Sequence, residues 1–324
     1  MTKIRSRDAR RIQDRRGGGG GGGLPGGLGD LLGGALGGGR RGGGGGMPIP
    51  GGMGSLLKGG GGLVAVLVLA AVFVLPKLLG AGAGDPGDVP PAVADPAGSA
   101  GASASTGDEA CDTELEQVVC GATNDVADYW VDQLPRSFGV DYVETETVFF
   151  SGYTDTGCGQ ASSQTGPFYC PLDQLVYFDL EFLVQLQQSF GATGDLAAQY
   201  IVAHEYGHHV QNVLGINEEV RAAQQSDPAR ANQYSVALEL QADCFAGAWA
   251  SDVAARDLFD SPEEIEEALG AAAAVGDDAI QQKTQGRVDP ESWTHGSSAQ
   301  RVEWFTRGYR TGDPQRCTTF SEVL

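Results

Sequence analysis

Of the 25 aromatic residues in this 324-residue chain (4 Trp, 9 Tyr, 12 Phe), all but Phe73 lie after residue 105, while 27 of its 51 glycines fall within residues 17–62. No other feature limits the fold more. Aromatic side chains supply much of a folded core, whereas glycine-rich stretches bury too little to repay the entropy of ordering them. The chain therefore reads as one core-forming segment of about 220 residues behind a leader that builds no core. That length suffices for one enzyme-sized core and excludes two large domains.

The leader divides into three. Residues 1–58 carry ten basic residues against Asp8, Asp14 and Asp30, a net +7, and are expected to form a disordered Gly/Arg-rich tail. Gly-Arg-Arg-Gly at 39–42 has no aromatic interleaved for base stacking, so nucleic acid is not an expected partner. The unbroken apolar run Leu63 to Leu75 extends with its flanks to about 25 residues and predicts a single transmembrane helix over 59–80, with Lys77 snorkelling to the interface. A signal peptide rarely carries so long a basic region ahead of it, although Ala81-Gly82-Ala83 leaves cleavage open. Residues 81–107, rich in Pro, Gly, Ala and Ser, read as a linker, and 108–324 as the folded domain.

Charge sets the expected orientation. Basic residues precede the apolar run and 39 of the 42 acidic residues follow it, which puts the N-terminus in the cytoplasm and the domain outside: a single-pass cell-membrane protein. All six cysteines lie on the same, outer side, an even count that predicts three disulfides, with fifteen connectivities possible in principle. The charge after Lys77 is −29 (10 basic, 39 acidic), which argues against anionic substrates.

Within the domain, apolar residues from Leu115 to Leu134 recur at helical spacing, and Pro135 is expected to end that helix. Val140–Phe150 alternates as a strand, Cys158 to Cys170 brackets a Gly/Ser/Gln loop, and Leu175–Leu180 is a second strand. Further helices are expected over Asp195–Val213, from Asp227-Pro228 to about Arg256, after a capping box at Ser261–Glu264, and from Ser297 to Arg310. Two strands followed by a helical majority give an α+β fold.

His204-Glu205-Tyr206-Gly207-His208 matches H-E-x-x-H. On a helix, residues four apart lie about 40° apart, so both imidazoles reach one metal ion, and Glu205, about 100° round from His204, can take a proton from a water beside it. Zinc suits the set, because it accepts imidazole nitrogen and polarises carbonyls. Gly207 would let a facing backbone or a substrate approach closely. A second helix supplies two carboxylates four apart, Glu239 and Asp243: Glu239 can complete a His₂Glu site, and Asp243 can accept the free ring N–H of a ligand histidine. Their apolar company (Val236, Leu238, Leu240, Phe245) means that either carboxylate, once buried, needs a partner.

Four segments, HEYGHHVQ at 204–211, ELQADCFAG at 239–247, GPFYCP at 166–171 and HGSSAQRVEWF at 295–305, together resemble the bacterial family of neutral zinc metallopeptidases. The resemblance covers residues 108–324. The first two segments are also similar to the wider gluzincin pattern, H-E-x-x-H followed by E-x-x-x-D, of membrane-associated metalloproteases. This implies a zincin-like domain with His204, His208 and Glu239 as ligands of one zinc ion per chain, Glu205 as general base and Asp243 behind a ligand. His295 and Arg301 resemble a His…Arg segment of such enzymes. His295 would stabilise the oxyanion at the scissile carbonyl or else cap a turn at the surface, and Arg301 would pair with Asp243 or another carboxylate. His209, about 100° round from His208, is expected to be structural or at the rim.

Sequence proximity favours Cys111–Cys120 and Cys158–Cys170, which leaves Cys244–Cys317; Cys244 points about 140° away from Glu239 and is discounted as a ligand. The expectation is a membrane-anchored, extracytoplasmic zinc peptidase acting on a peptide or protein that pairs with the strand at 140–150 or at 175–180. Two alternatives stay open: an amidase acting on cell-wall peptides, and a zinc-binding scaffold without activity.

Overall fold

The computed structural model describes residues 3–16, 110–191 and 194–322, which belong to one structural unit. The expected span over 59–80, the linker at 81–107 and the rest of the tail lie outside these residues. Among the described residues, no helix is long and apolar enough to cross a membrane.

In chain order the elements are β1 (Ile12–Asp14), α1 (Glu114–Phe138), β2 (Thr147–Phe150), β3 (Tyr153–Thr156), β4 (Gly159–Ser162), β5 (Phe168–Cys170), β6 (Leu175–Asp179), α2 (Leu180–Phe190), α3 (Asp195–Val213), α4 (Ile216–Ser226), α5 (Ala231–Ala255), α6 (Ile265–Ala274), α7 (Asp277–Gln285), α8 (Ser298–Thr311) and α9 (Thr319–Glu322). The fold is α+β, mostly helical with a small sheet. Its four strands run in the order β1-β2-β6-β5, with β5 alone antiparallel. Alternation along β2 splits the apolar residues between the two faces: Phe149 joins the main core of the helices, whereas Val148 and Phe150 join Phe168 and Tyr177 in a smaller cluster.

Several elements depart from expectation for local physical reasons. Helix α1 runs through Pro135 instead of stopping before it. The missing N–H falls in the last turn, on a side where Val131 is 42 % exposed and water can satisfy the freed carbonyl. Gly139, at φ 70°, then closes the helix by donating its N–H to Pro135 O. The strand expected over Val140–Phe150 shortens to Thr147–Phe150, and the segment between Cys158 and Cys170 contains β4 and β5 rather than a plain loop. No capping box forms at Ser261; a short 3₁₀ turn over Pro262–Glu264 leads into α6 instead. Strands β2 and β6 are each paired on both sides, so neither can accept a substrate strand as expected; among the described residues β1 and β5 are the edges, and β5 is the one beside Pro167.

The largest departure is at the N-terminus. Residues 3–16, expected within a disordered tail, pack on the domain: Ile4 is buried in the main core and β1 pairs with β2. The three disulfides are Cys111–Cys120, Cys158–Cys170 and Cys244–Cys317, and together they use every cysteine of the chain. The last ties α5 to the C-terminal segment.

Candidate metal centre

Helix α3 is buried without a break from Leu196 to Gln211. It lies close against α5 because Gly207 faces Ala242, where a Cβ would meet the Ala242 backbone at 3.1 Å. Gly207 thus meets a facing backbone, one of the two uses expected of it. The contact brings His204 and His208 of α3 opposite Glu239 and Asp243 of α5, all nearly sealed from solvent.

With both rings neutral, as a metal ion requires, the three polar atoms that converge there all accept. Asp243 Oδ1 lies 2.8 Å from His204 Nδ1, and Gln211 Oε1 lies 2.8 Å from His208 Nδ1, so each ring donates through Nδ1 and turns an Nε2 lone pair inward. The two Nε2 atoms are 3.2 Å apart, and Glu239 approaches them at 3.1 and 3.4 Å. His204, His208 and Glu239 offer ligand atoms all within 4.8 Å of one another, the only such group among the described residues. Two imidazole lone pairs and a carboxylate turned on one point fit a divalent cation with the borderline softness of zinc.

Electrostatics follows from the same contacts. Burial pulls the His204 imidazole down, but the charge and hydrogen bond of Asp243 with a second bond from Glu239 bring it up to about 9. Burial pushes Glu239 up, and the charge of His208 with bonds to both histidines holds it well below the usual carboxylate range. Asp243 is held down against burial chiefly by Arg301, which donates Nε to Oδ2 at 2.8 Å and Nη2 to Oδ1 at 2.9 Å. Glu205 differs. Burial raises it, and its Oε2 is buried with no hydrogen-bond partner. An uncommitted, readily protonated carboxylate beside the ligand group is what a proton shuttle requires.

Two supports have no motif of their own. Tyr200, one turn before His204, donates its hydroxyl to Asp243 Oδ1 at 2.5 Å, and Gln211 holds His208 while donating to Leu238 O at 2.7 Å. Their only sequence signal is the four- and three-residue spacing from the histidines. Asp277, at the start of α7, escaped sequence reasoning altogether. Its Oδ2 accepts the backbone N–H groups of Thr294, His295 and Gly296 at 2.8, 2.7 and 3.1 Å, and its Oδ1 meets His295 Nδ1 at 3.1 Å. Burial lowers His295, but that bond with Asp277 and the charge of Glu239 raise it overall. His295 Nε2 is left buried without a partner, so the ring is not a surface cap. A pocket joins Glu205, Glu239, His295 and Arg301 to an apolar wall that includes Phe182 and Ile280.

His209 stays apart from the group, as its helix angle requires, but it is not at the rim. It is fully buried, with Nε2 donating to Val143 O at 2.6 Å and Nδ1 3.1 Å from the Tyr169 hydroxyl. Tyr142, whose ring meets the His209 ring edge-on, and Val143 thus brace α3 from outside the strand.

A model of the family described as "Putative neutral zinc metallopeptidase" matches residues 37–320. The uncharacterized protein YpfJ of Escherichia coli K12 is 45% identical over 212 residues, 65% of this chain and 72% of that one. The uncharacterized proteins Rv2575 of Mycobacterium tuberculosis H37Rv and Mb2605 of Mycobacterium bovis are each 48% identical over 213 residues, 63% of this chain and 70% of theirs. No solved structure matches.

Proposed function

The chain belongs to this neutral zinc metallopeptidase family, and on that premise we propose that it hydrolyses peptide bonds with one zinc ion held by His204, His208 and Glu239. When bound, zinc would polarise the scissile carbonyl and make a neighbouring water more acidic. Glu205 takes the proton from the attacking water and returns it to the leaving amine. The observation that carries this reading is the buried, unpartnered Glu205 Oε2 beside a convergent His–His–Glu group. A scaffold site has no use for such a group, because leaving a carboxylate oxygen buried without a partner is costly.

The remaining residues orient and stabilise. Asp243, clamped by Arg301 and Tyr200, fixes the His204 tautomer. Asp277 holds His295 so that its free Nε2 can donate to the oxyanion that develops at the carbonyl. An extended peptide would add to the free edge of β5, and Phe182, Ile201, Val275 and Ile280 would receive an apolar side chain next to the scissile bond. The domain would work outside the cytoplasm, a reading supported by the pairing of all six cysteines.

The test compares envelope-protein N-termini in cells carrying the parent chain or the Glu205→Gln form. New N-termini that need the parent, with an apolar residue next to the cut, are expected. Equal sets from the two forms would remove Glu205 from the chemistry.

A further inference from the structure

Residues 3–16 are seated in a surface shaped for them. Ile4 is 6% exposed within the main core, and its carbonyl accepts the side-chain N–H of Gln199 at 2.7 Å from α3, the helix that carries the two histidines. Beneath it lies Gly121 of α1, where a Cβ would stand 2.8 Å from Ile4 O and 2.9 Å from Arg5 Cα. Only glycine admits the strap at that depth. The backbone is bonded on both sides of Ile4, through Lys3 N to Leu258 O at 3.0 Å and Ser6 N to Gln117 O at 2.9 Å. Beyond, β1 extends the sheet in register, with Ile12 opposite Thr147 and Asp14 opposite Phe149.

Charge runs the same way. Arg5 pairs with Asp195 at 2.6 Å, Arg10 with Asp128 at 2.6 Å, Arg11 with Glu144 at 2.9 Å, and Arg16 with Glu116. Glu116 also closes the capping box of α1, and Asp195 opens α3. The basic residues that read in sequence as a solvated tail therefore find carboxylates of the acidic domain at four separate places.

We propose that this groove between α1, the first turn of α3 and the edge of β2 is a docking site for a basic extended strap, and that its occupant is the chain's own residues 3–16. The strap and the domain then share one compartment. A single crossing of a membrane by the apolar run at 63–75 would put them on opposite sides, so docking and a single crossing exclude one another. This assignment does not depend on the chemistry proposed above.

The experiment uses the full chain in its native membrane. Every native cysteine is paired, so Arg7→Cys in the strap and Tyr153→Cys on the exposed hairpin each introduce a unique free thiol. A membrane-impermeant maleimide is applied before and after permeabilisation. Both thiols should react alike, to within about twofold, whichever compartment the domain occupies. One thiol reacting freely while the other waits for permeabilisation overturns the proposal. In the chain with no added cysteine, a zero-length carbodiimide link should join Lys3 to Asp257, whose Nζ and Oδ2 are 3.6 Å apart, and should vanish in Gly121→Val. Failure to recover that link from the parent overturns docking. So does a link found between isotopically heavy and light copies, which would make the occupant a second chain.

Discussion

Two sets of arginine–carboxylate pairs organise this molecule, and they differ in how much water reaches them. Arg301 and Asp243 meet at 2.8 Å with side chains 4% and 0% exposed. Arg10 of the strap and Asp128 meet at 2.6 Å with side chains 49% and 56% exposed. Distance alone would rank the second pair higher. Burial reverses the order: a sealed charge that loses its partner has no water to turn to, whereas an exposed one is rehydrated at once. The centre behind His204 is therefore brittle, and the strap is held by the sum of small contacts around one buried anchor, Ile4.

The largest effect is expected of Asp243→Ala, which strands Arg301, the Tyr200 hydroxyl and His204 Nδ1 together. A loss of about 3–5 kcal/mol is expected, read from denaturant midpoints. A loss under about 1 kcal/mol would make the two sets equivalent. Next comes pH. With His204 raised from 6.5 to about 9 in the metal-free fold, its contribution is fully present below pH 6.5 and is lost as pH rises through about 9. That loss is on the order of 3 kcal/mol. Thermal unfolding of the metal-free protein at pH 6 and pH 10 measures it. Gly121→Val, whose added side chain meets Ile4 and Arg5 rather than His204, should leave the slope unchanged. Gly121→Val itself should cost about 1–3 kcal/mol through displacement of Ile4. Arg10→Ala should change stability by no more than about 1 kcal/mol, because the contact it loses is solvated. A larger loss than that of Gly121→Val would mean that the ion pairs, not Ile4, anchor the strap.

What could be read from sequence was local. Helix α3 occupies the expected 195–213, because the signals that bound a helix act between residues close in sequence. The approach of His204, His208 and Glu239 follows from two four-residue spacings and a small residue, Gly207, between the helices. The short disulfide loops close between neighbours in sequence, and the third pair was what remained. What stayed hidden depends on residues far apart. Asp277 acts only because α7 meets the turn at 294–296, and no spacing records that meeting. Whether His209 was structural or at the rim stayed open because its partners, Tyr169 and Val143, come from two separate segments. The strap resembled a tail because glycine follows it immediately and its carboxylates lie more than 90 residues downstream, from Glu116 to Asp195.

Glu205 and Glu239 share one pocket but have opposite proposed duties, so the most direct measurement treats them in parallel: zinc content and peptide turnover of the parent, Glu205→Gln and Glu239→Gln. Glu205→Gln should keep one zinc per chain and lose at least about 100-fold in turnover, whereas Glu239→Gln should bind zinc far more weakly. Parent-level turnover in Glu205→Gln, or unchanged tight zinc binding in Glu239→Gln, would contradict these duties.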